Sequence, residues 1–182
     1  MPCGDCTACC TSAYFIHIGP EEKRTLSRIP RELLFPAPGL PKGNVVMGYD
    51  EQGRCPMLID NRCSIYEDRP MTCRKFDCRI FPAAGLAPGG ADKALITEHV
   101  ERWAFGYPDT LDRKQHAAVL AAAVFLRQHP ECFPDRVAPS NPLQLALLAI
   151  RIADIFLPSP CEAGETEPVT PDVEAVMSAL SH

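Results

Sequence analysis

The apolar residues in the second half of the chain recur at helical spacing. They predict helices over residues 91–105 and 112–128, and the second contains ten consecutive apolar residues beginning at Ala117. His129-Pro130 should end this helix, because a residue that precedes proline is pushed out of the α region. The second half is therefore predicted to be helical.

Another helix is predicted to begin at Asn141 and Pro142, a capping residue followed by a proline in the first turn. Up to Leu157 its polar members are Gln144, Arg151 and Asp154. At 100° per residue these three fall within about 80° of one another, so most of the helix surface is apolar. We expect this surface to be buried; the alternative is a protein partner that docks on the helical half.

The first half is short of helical periodicity and rich in turn residues. Three turn signals stand out: a loop over 36–43, the Asp50–Gly53 turn and the Asp60-Asn61 turn. In chain order the pattern predicts a strand over residues 13–18, a helix opened by Pro20, a hairpin between 44–49 and 54–59, and a helix from Pro70 through Cys73.

These patterns together predict an α+β fold, in which a small cysteine-rich part with short strands is followed by a helical part. We expect a cysteine-cluster metal-binding region over residues 1–82 and a helical region over 83–157 packed on it. Residues 158–182 are predicted to form an acidic linker and a short terminal helix over 171–180. The 182 residues, of which 46% are hydrophobic, suit one domain of ordinary size with a real core.

Charge and hydropathy exclude several classes of protein. The formal net charge is -5 and no basic stripe is present, so we expect no nucleic-acid binding. No run approaches the roughly 18 apolar residues of a membrane span, so we expect no membrane insertion. The N-terminal residues lack the basic and apolar regions of a signal peptide, which predicts a cytoplasmic protein.

Ten cysteines change this picture, and eight of them lie in residues 3–78. In a reducing compartment, tightly spaced cysteines indicate metal ligands or redox thiols before they indicate disulfides. The first block is Cys3-x2-Cys6-x2-Cys9-Cys10. Two intervening residues let a turn bring two sulfurs onto one ion, as in zinc knuckles and iron–sulfur sites. Such crowded thiolates repel one another unless a cation neutralises them.

The second block spaces its cysteines too widely for one knuckle, so the fold must deliver each thiol. Adjacent side chains such as Cys9 and Cys10 diverge and seldom serve the same tetrahedral ion. We therefore expect the two blocks to converge, with Cys10 pointing away from its neighbours towards a thiol of the second block. The predicted metal ligands are Cys3, Cys6, Cys9, Cys10, Cys55, Cys63, Cys73 and Cys78.

These cysteines carry a resemblance to a known family. CGDCTACC at residues 3–10 and GRCPMLIDNRCSIYEDRPMTCRKFDC at residues 53–78 resemble the YkgJ-type cysteine-cluster family, which is described as a zinc- or iron-chelating domain. The resemblance spans roughly residues 3–80. It implies metal chelation and, by way of related flagellin lysine methylases, an iron–sulfur role. It implies no particular reaction.

Several residues near the cysteines in sequence are candidates for supporting roles. Arg69 and Arg74 are predicted to lie beside the cofactor, because cations would compensate the thiolates and donate hydrogen bonds to sulfur. The alternative is that both arginines sit on a solvated helix face. His17 is expected to be structural, and Cys132 and Cys161 are not expected to be ligands.

Two kinds of cofactor and two classes of function stay open. All-thiolate ligation suits zinc and iron–sulfur equally, and the evenly spaced first block favours an iron–sulfur cluster such as 4Fe–4S, with zinc as the alternative. The cluster would serve a redox or structural module. The alternative is an enzyme that uses the cluster, such as a methyl-transfer or redox catalyst. The sequence contains no Ser/His/Asp arrangement, P-loop or GxGxxG motif to support a conventional enzyme.

Overall fold

The computed structural model of the chain describes residues 6–158 and 167–181. About half of the chain is helical, with short antiparallel strands in the N-terminal part, which confirms the predicted α+β class. The chain divides into two compact units. The cysteine-rich unit comprises Met1–Cys78 and Gly90–His99, and the helical unit comprises Arg79–Gly89 and Val100–His182.

The cysteine-rich unit is built on a small antiparallel sheet whose strands lie in the order β1-β3-β2. Ile16 and Leu34 both pair with Met47 of the central strand, and the apolar residues of this sheet pack on a core that includes Ile65. Its strands are β1 Ile16–Ile18, β2 Leu34–Pro36 and β3 Val45–Met47, and its helices are α1 Lys23–Arg28 and α2 Met71–Lys75.

The predicted hairpin between residues 44–49 and 54–59 is wrong. Strand β3 pairs with β1 and β2 instead. The reason lies in the turn that follows, where the Asp50 carboxylate accepts hydrogen bonds from the backbone amides of Gln52 and Arg54. This side chain closes the turn, and the chain then runs towards Cys10 rather than back along β3.

A different hairpin forms in its place, between β4 Leu58–Ile59 and β5 Arg62–Cys63. Its turn is Asp60-Asn61, as predicted, and both residues adopt positive φ angles of 50° and 58°. Asp and Asn tolerate this left-handed conformation and so suit the tight turns of hairpins. The hairpin places Cys63 opposite Leu58.

The helical unit confirms most of the predicted helices and corrects their bounds. The Asp109 and Asn141 side chains cap the two main helices by accepting from the backbone amides of Asp112 and Leu143. The predicted helix over 91–105 is too long, because α4 ends at Val100. The observed helices are α3 Ile80–Ala83, α4 Ala94–Val100, which begins in the cysteine-rich unit, α5 Thr110–Gln128, α6 Pro142–Ile152 and α7 Val173–Ser181.

Small side chains form the core of the helical unit. Ala118 and Ala122 of α5 and Ala146 and Ala149 of α6 are fully buried together with the end of α5 at Leu126. Alanines let two helices approach closely. The apolar surface predicted to be buried over residues 141–157 is buried in part, while Leu147 and Ile150 are exposed. No helix within the described residues is long and apolar enough to cross a membrane. Part of the predicted linker, with Cys161, lies outside the described residues.

Candidate metal centre

The predicted metal ligands that the structure describes all lie in the cysteine-rich unit. Cys3 lies outside the described residues. Most of the others are partly buried, and Cys78 is buried. The ligand candidates occupy a 3₁₀ turn (Cys9, Cys10), the segment just before it (Cys6), the exit of a turn (Cys55), strand β5 (Cys63), helix α2 (Cys73) and the residues after α2 (Cys78).

The first block is held by a short turn that its own side chains close. The 3₁₀ turn Ala8–Thr11 carries Cys9 and Cys10. The hydroxyl group of Ser12 donates a hydrogen bond of 2.5 Å to the carbonyl oxygen of Ala8, and Ser12 is completely buried. This internal bond fixes the backbone of the two adjacent cysteines, because a buried hydroxyl cannot exchange its partner for water.

The backbone joins the two cysteine blocks directly. The amide of Cys55 donates a hydrogen bond of 2.7 Å to the carbonyl oxygen of Cys10, and the amide of Ala13 donates one of 2.8 Å to the carbonyl oxygen of Gly53. Gly53 has a φ angle of 74°, and a Cβ atom there would lie 3.3 Å from the Cβ of Ala13. The sequence separates Cys10 and Cys55 by 44 residues, so this contact is a product of the fold.

The surroundings of Cys55 raise the pKa of its thiol. Burial raises the pKa of the Cys55 thiol most, and the Cys63 thiolate raises it further, whereas a hydrogen bond from the backbone amide of Met57 lowers it. Both cysteines pack against the core of the cysteine-rich unit. Because burial disfavours the Cys55 thiolate, a cation bound beside this sulfur would stabilise its charged form.

Two side chains hold helix α2, which carries Cys73, against strand β1 and the start of α1. The Thr72 hydroxyl group donates a hydrogen bond of 2.7 Å to the carbonyl oxygen of His17, and the Glu22 carboxylate accepts one of 2.6 Å from the amide of Met71. The ring of His17 in turn lies 2.9 Å from the side-chain oxygen of Asn44. His17 therefore makes a structural contact here.

The two arginines predicted to lie beside a cofactor brace the segment that leads into α2. Arg69 donates a hydrogen bond of 2.8 Å to the carbonyl oxygen of Tyr66, and its guanidinium group lies 3.9 Å from the centroid of the Tyr66 ring. Arg74 donates to the carbonyl oxygens of Arg69 and Glu67. The Nε atom of Arg69 is buried and has no hydrogen-bond partner within the described part of the chain. The role of both arginines towards a cofactor stays a prediction.

Lys93 is a site residue that the sequence did not reveal. Its ammonium group donates hydrogen bonds to the carbonyl oxygens of Ser12 and Ala13, the latter at 2.9 Å, and forms an ion pair of 2.9 Å with Asp92. Its side chain is only 13% exposed. No motif marks this lysine in the sequence, and its contacts lie about 80 residues away along the chain.

Tyr14 presents a buried hydroxyl group to the same region. This hydroxyl has no hydrogen-bond partner among the residues described. Burial, followed by the negative charges of the Cys9 thiolate, the Asp92 carboxylate and the Cys78 thiolate, raises the pKa of Tyr14 to about 12. A neutral hydroxyl close to two thiols is a donor available to a sulfur acceptor.

His99, near the end of α4, was also missed. Its two ring nitrogens lie 3.9 Å and 3.8 Å from the sulfur of Cys6. The sequence gives no signal for this contact, because the two residues are 93 positions apart.

Among residues 6–158 and 167–181, no group of three or more Cys, His, Asp or Glu side chains lies close enough to hold one metal ion. The backbones of the two blocks meet at Cys10 and Cys55. The convergence of three or more sulfurs, in which Cys3 was to take part, stays a prediction.

Part of the chain matches the model of a known protein family. The family model CxxCxxCC, described as a putative zinc- or iron-chelating domain, matches residues 2–98. The match runs from the first cysteine block through the second and includes Lys93. No curated protein and no solved structure matches the chain.

Proposed function

The chain belongs to the CxxCxxCC family, as the resemblance of its cysteine blocks predicted, and from this we propose that it is a metal-binding protein that holds an iron–sulfur cluster. The observation that carries the proposal is the hydrogen bond of 2.7 Å between the amide of Cys55 and the carbonyl oxygen of Cys10. It unites the two thiol-bearing segments within one folded unit, so that they can serve a common centre.

The donor set fits such a group chemically. Thiolates are the ligands that both iron–sulfur clusters and zinc prefer. The run Cys3-x2-Cys6-x2-Cys9 supports iron over zinc, because ferredoxins ligate their clusters with cysteines at this interval. The eight proposed ligands are those of both blocks, and a reducing compartment such as the cytoplasm would keep them as thiols.

Two unsatisfied donors also fit a sulfur-rich group. The buried Tyr14 hydroxyl and the Arg69 Nε–H lack hydrogen-bond partners among the described residues, although burial of an unpaired donor costs about 1–3 kcal/mol. Hydrogen bonds from such donors to thiolate or sulfide would recover that cost and tune the centre. When bound, the cluster would supply one-electron redox chemistry or structural support. The cysteines would hold it, and Tyr14 and Arg69 would orient it.

Purification under strictly anaerobic conditions, followed by measurement of iron, zinc and acid-labile sulfide, tests the proposal. We expect brown protein with iron and sulfide in comparable amounts. Stoichiometric zinc without sulfide would overturn the iron–sulfur assignment in favour of a zinc site. Absence of any bound metal would overturn metal binding itself.

A matched pair of variants links the metal to the proposed ligands. Cys55→Ser should lower the metal content, whereas Cys132→Ser should leave it unchanged, because Cys132 is buried in the core of the helical unit. Equal metal content in both variants would contradict the role given to Cys55.

A further inference from the structure

We propose that His99 is a ligand of the metal centre alongside Cys6, an inference that rests on the proposed function. The sulfur of Cys6 lies 3.8 Å from one ring nitrogen of His99 and 3.9 Å from the other. In a tetrahedral site with metal–sulfur bonds near 2.3 Å and metal–nitrogen bonds near 2.0–2.1 Å, the two donor atoms lie roughly 3.6 Å apart. The observed pair is thus within a few tenths of an ångström of the separation of two ligands on one ion.

Contacts of the segment that begins α4 place His99 beside Cys6. Lys93 ends the 3₁₀ turn that precedes α4, and its ammonium group is bonded to the carbonyl oxygens of Ser12 and Ala13. Ile96, on the first turn of α4, is completely buried. One end of this segment is therefore anchored beside the first cysteine block, and the helix carries His99 along the block to Cys6.

A histidine ligand would also limit the electrostatic repulsion among the thiolates of the first block. A neutral imidazole adds a donor without adding a negative charge, whereas each further thiolate increases the repulsion among its neighbours. Replacement of cysteine by histidine in iron–sulfur centres raises the reduction potential. His99 would therefore make the centre easier to reduce than a centre ligated by thiolates alone.

X-ray absorption spectroscopy at the edge of the metal found in the purified protein tests this without any mutation. We expect a nitrogen scatterer near 2.0 Å together with sulfur near 2.3 Å. A fit by sulfur alone in metal-loaded wild-type protein would overturn the assignment of His99 and leave the proposed function standing. Wild-type protein that binds no metal would overturn the proposed function itself.

Variants of α4 provide the second test. His99→Ala should weaken metal binding by more than the roughly 10–100-fold lost with a residue that only supports a ligand. Leu95→Ala, a truncation of a side chain that is 53% exposed on the same helix, should leave metal binding unchanged. His99→Cys should restore metal binding, with the nitrogen scatterer lost and a lower reduction potential in an iron–sulfur centre. Metal affinity that stays unchanged in His99→Ala would overturn the inference.

Discussion

The ammonium group of Lys93 lies 4.3 Å from the centroid of the Tyr14 ring, while its hydrogen bonds end on the carbonyl oxygens of Ser12 and Ala13. One lysine thus contacts three consecutive residues, which begin two positions after the first cysteine block. Since its side chain is mostly buried, the contact is electrostatically stronger than an exposed one would be.

Replacement of this lysine should loosen the cysteine-rich unit. Lys93→Met removes the charged donor from two carbonyl oxygens and should lower the free energy of unfolding of the unit by about 1–3 kcal/mol. Hydrogen exchange of the amides in residues 8–18, read by mass spectrometry, measures the effect. The control is Lys23→Met, since Lys23 is exposed at the start of α1. Equal protection in both variants would refute the anchoring role.

The stability of the folded cysteine-rich unit should fall at high pH through Tyr14. Its pKa is raised to about 12 in the folded protein, by burial first and then by the nearby thiolate and carboxylate charges, against about 10 for an unfolded tyrosine. Because the folded state holds the proton more tightly, its contribution is complete below pH ~10 and is lost as the pH rises towards 12.

Urea denaturation of the purified protein between pH 9 and 12 measures this loss. Tyr14→Phe cannot ionise and should lose less stability over this range than the wild type. Tyr49→Phe is the control, because Tyr49 is 41% exposed. Parallel curves for the wild type and Tyr14→Phe would count against the buried hydroxyl as the cause.

Substitution of Gly53 should weaken the junction between the two cysteine blocks. Gly53→Ala forces alanine into a left-handed conformation and crowds the Cβ of Ala13, so we expect a loss of stability of about 1–3 kcal/mol together with weaker metal binding. Gly39→Ala separates the two effects, because Gly39 also has positive φ but no described atom lies within 4 Å of its added Cβ. Equal losses in both variants would show that the contact with Ala13 is unimportant.

Removal of the metal should affect the two units differently. Residues 6–78 and 90–99 consist of short strands, short helices and turns, so their folding should depend on the metal. The helices α5 and α6 bury one another's alanines and need no metal. After a chelator removes the metal, hydrogen exchange should show that amides in residues 6–78 and 90–99 have lost their protection. The amides of α5 and α6 should remain protected. Uniform loss across the chain would contradict this separation.

The sequence predicted features that depend on neighbouring residues. The apolar run from Ala117 and the cap and proline at Asn141 and Pro142 predicted the two main helices to within two residues of their start, and Asp60-Asn61 predicted a turn. The hairpin was wrong because strand pairing is chosen by tertiary contacts, which the local pattern of β-rich segments does not contain. The cysteine spacing predicted the family and metal binding, while the identity of each ligand stays a prediction.

The residues around the candidate site were harder to predict for the same reason. Lys93 and His99 reach Ser12 and Cys6 across 81 and 93 positions of sequence. No periodicity or motif encodes contacts of that range in a single sequence. Tyr14 looked like an ordinary strand residue until the fold placed its hydroxyl group in a buried position without a partner among the described residues.

The interleaved path of the chain has an evolutionary consequence. Because the cysteine-rich unit resumes at Gly90–His99 after an excursion through the helical unit, a recombination event that transferred only the stretch ending at Cys78 would carry the thiols without Lys93 or His99. Such a chimaera would inherit the recognisable motif but not the lysine anchor beside it.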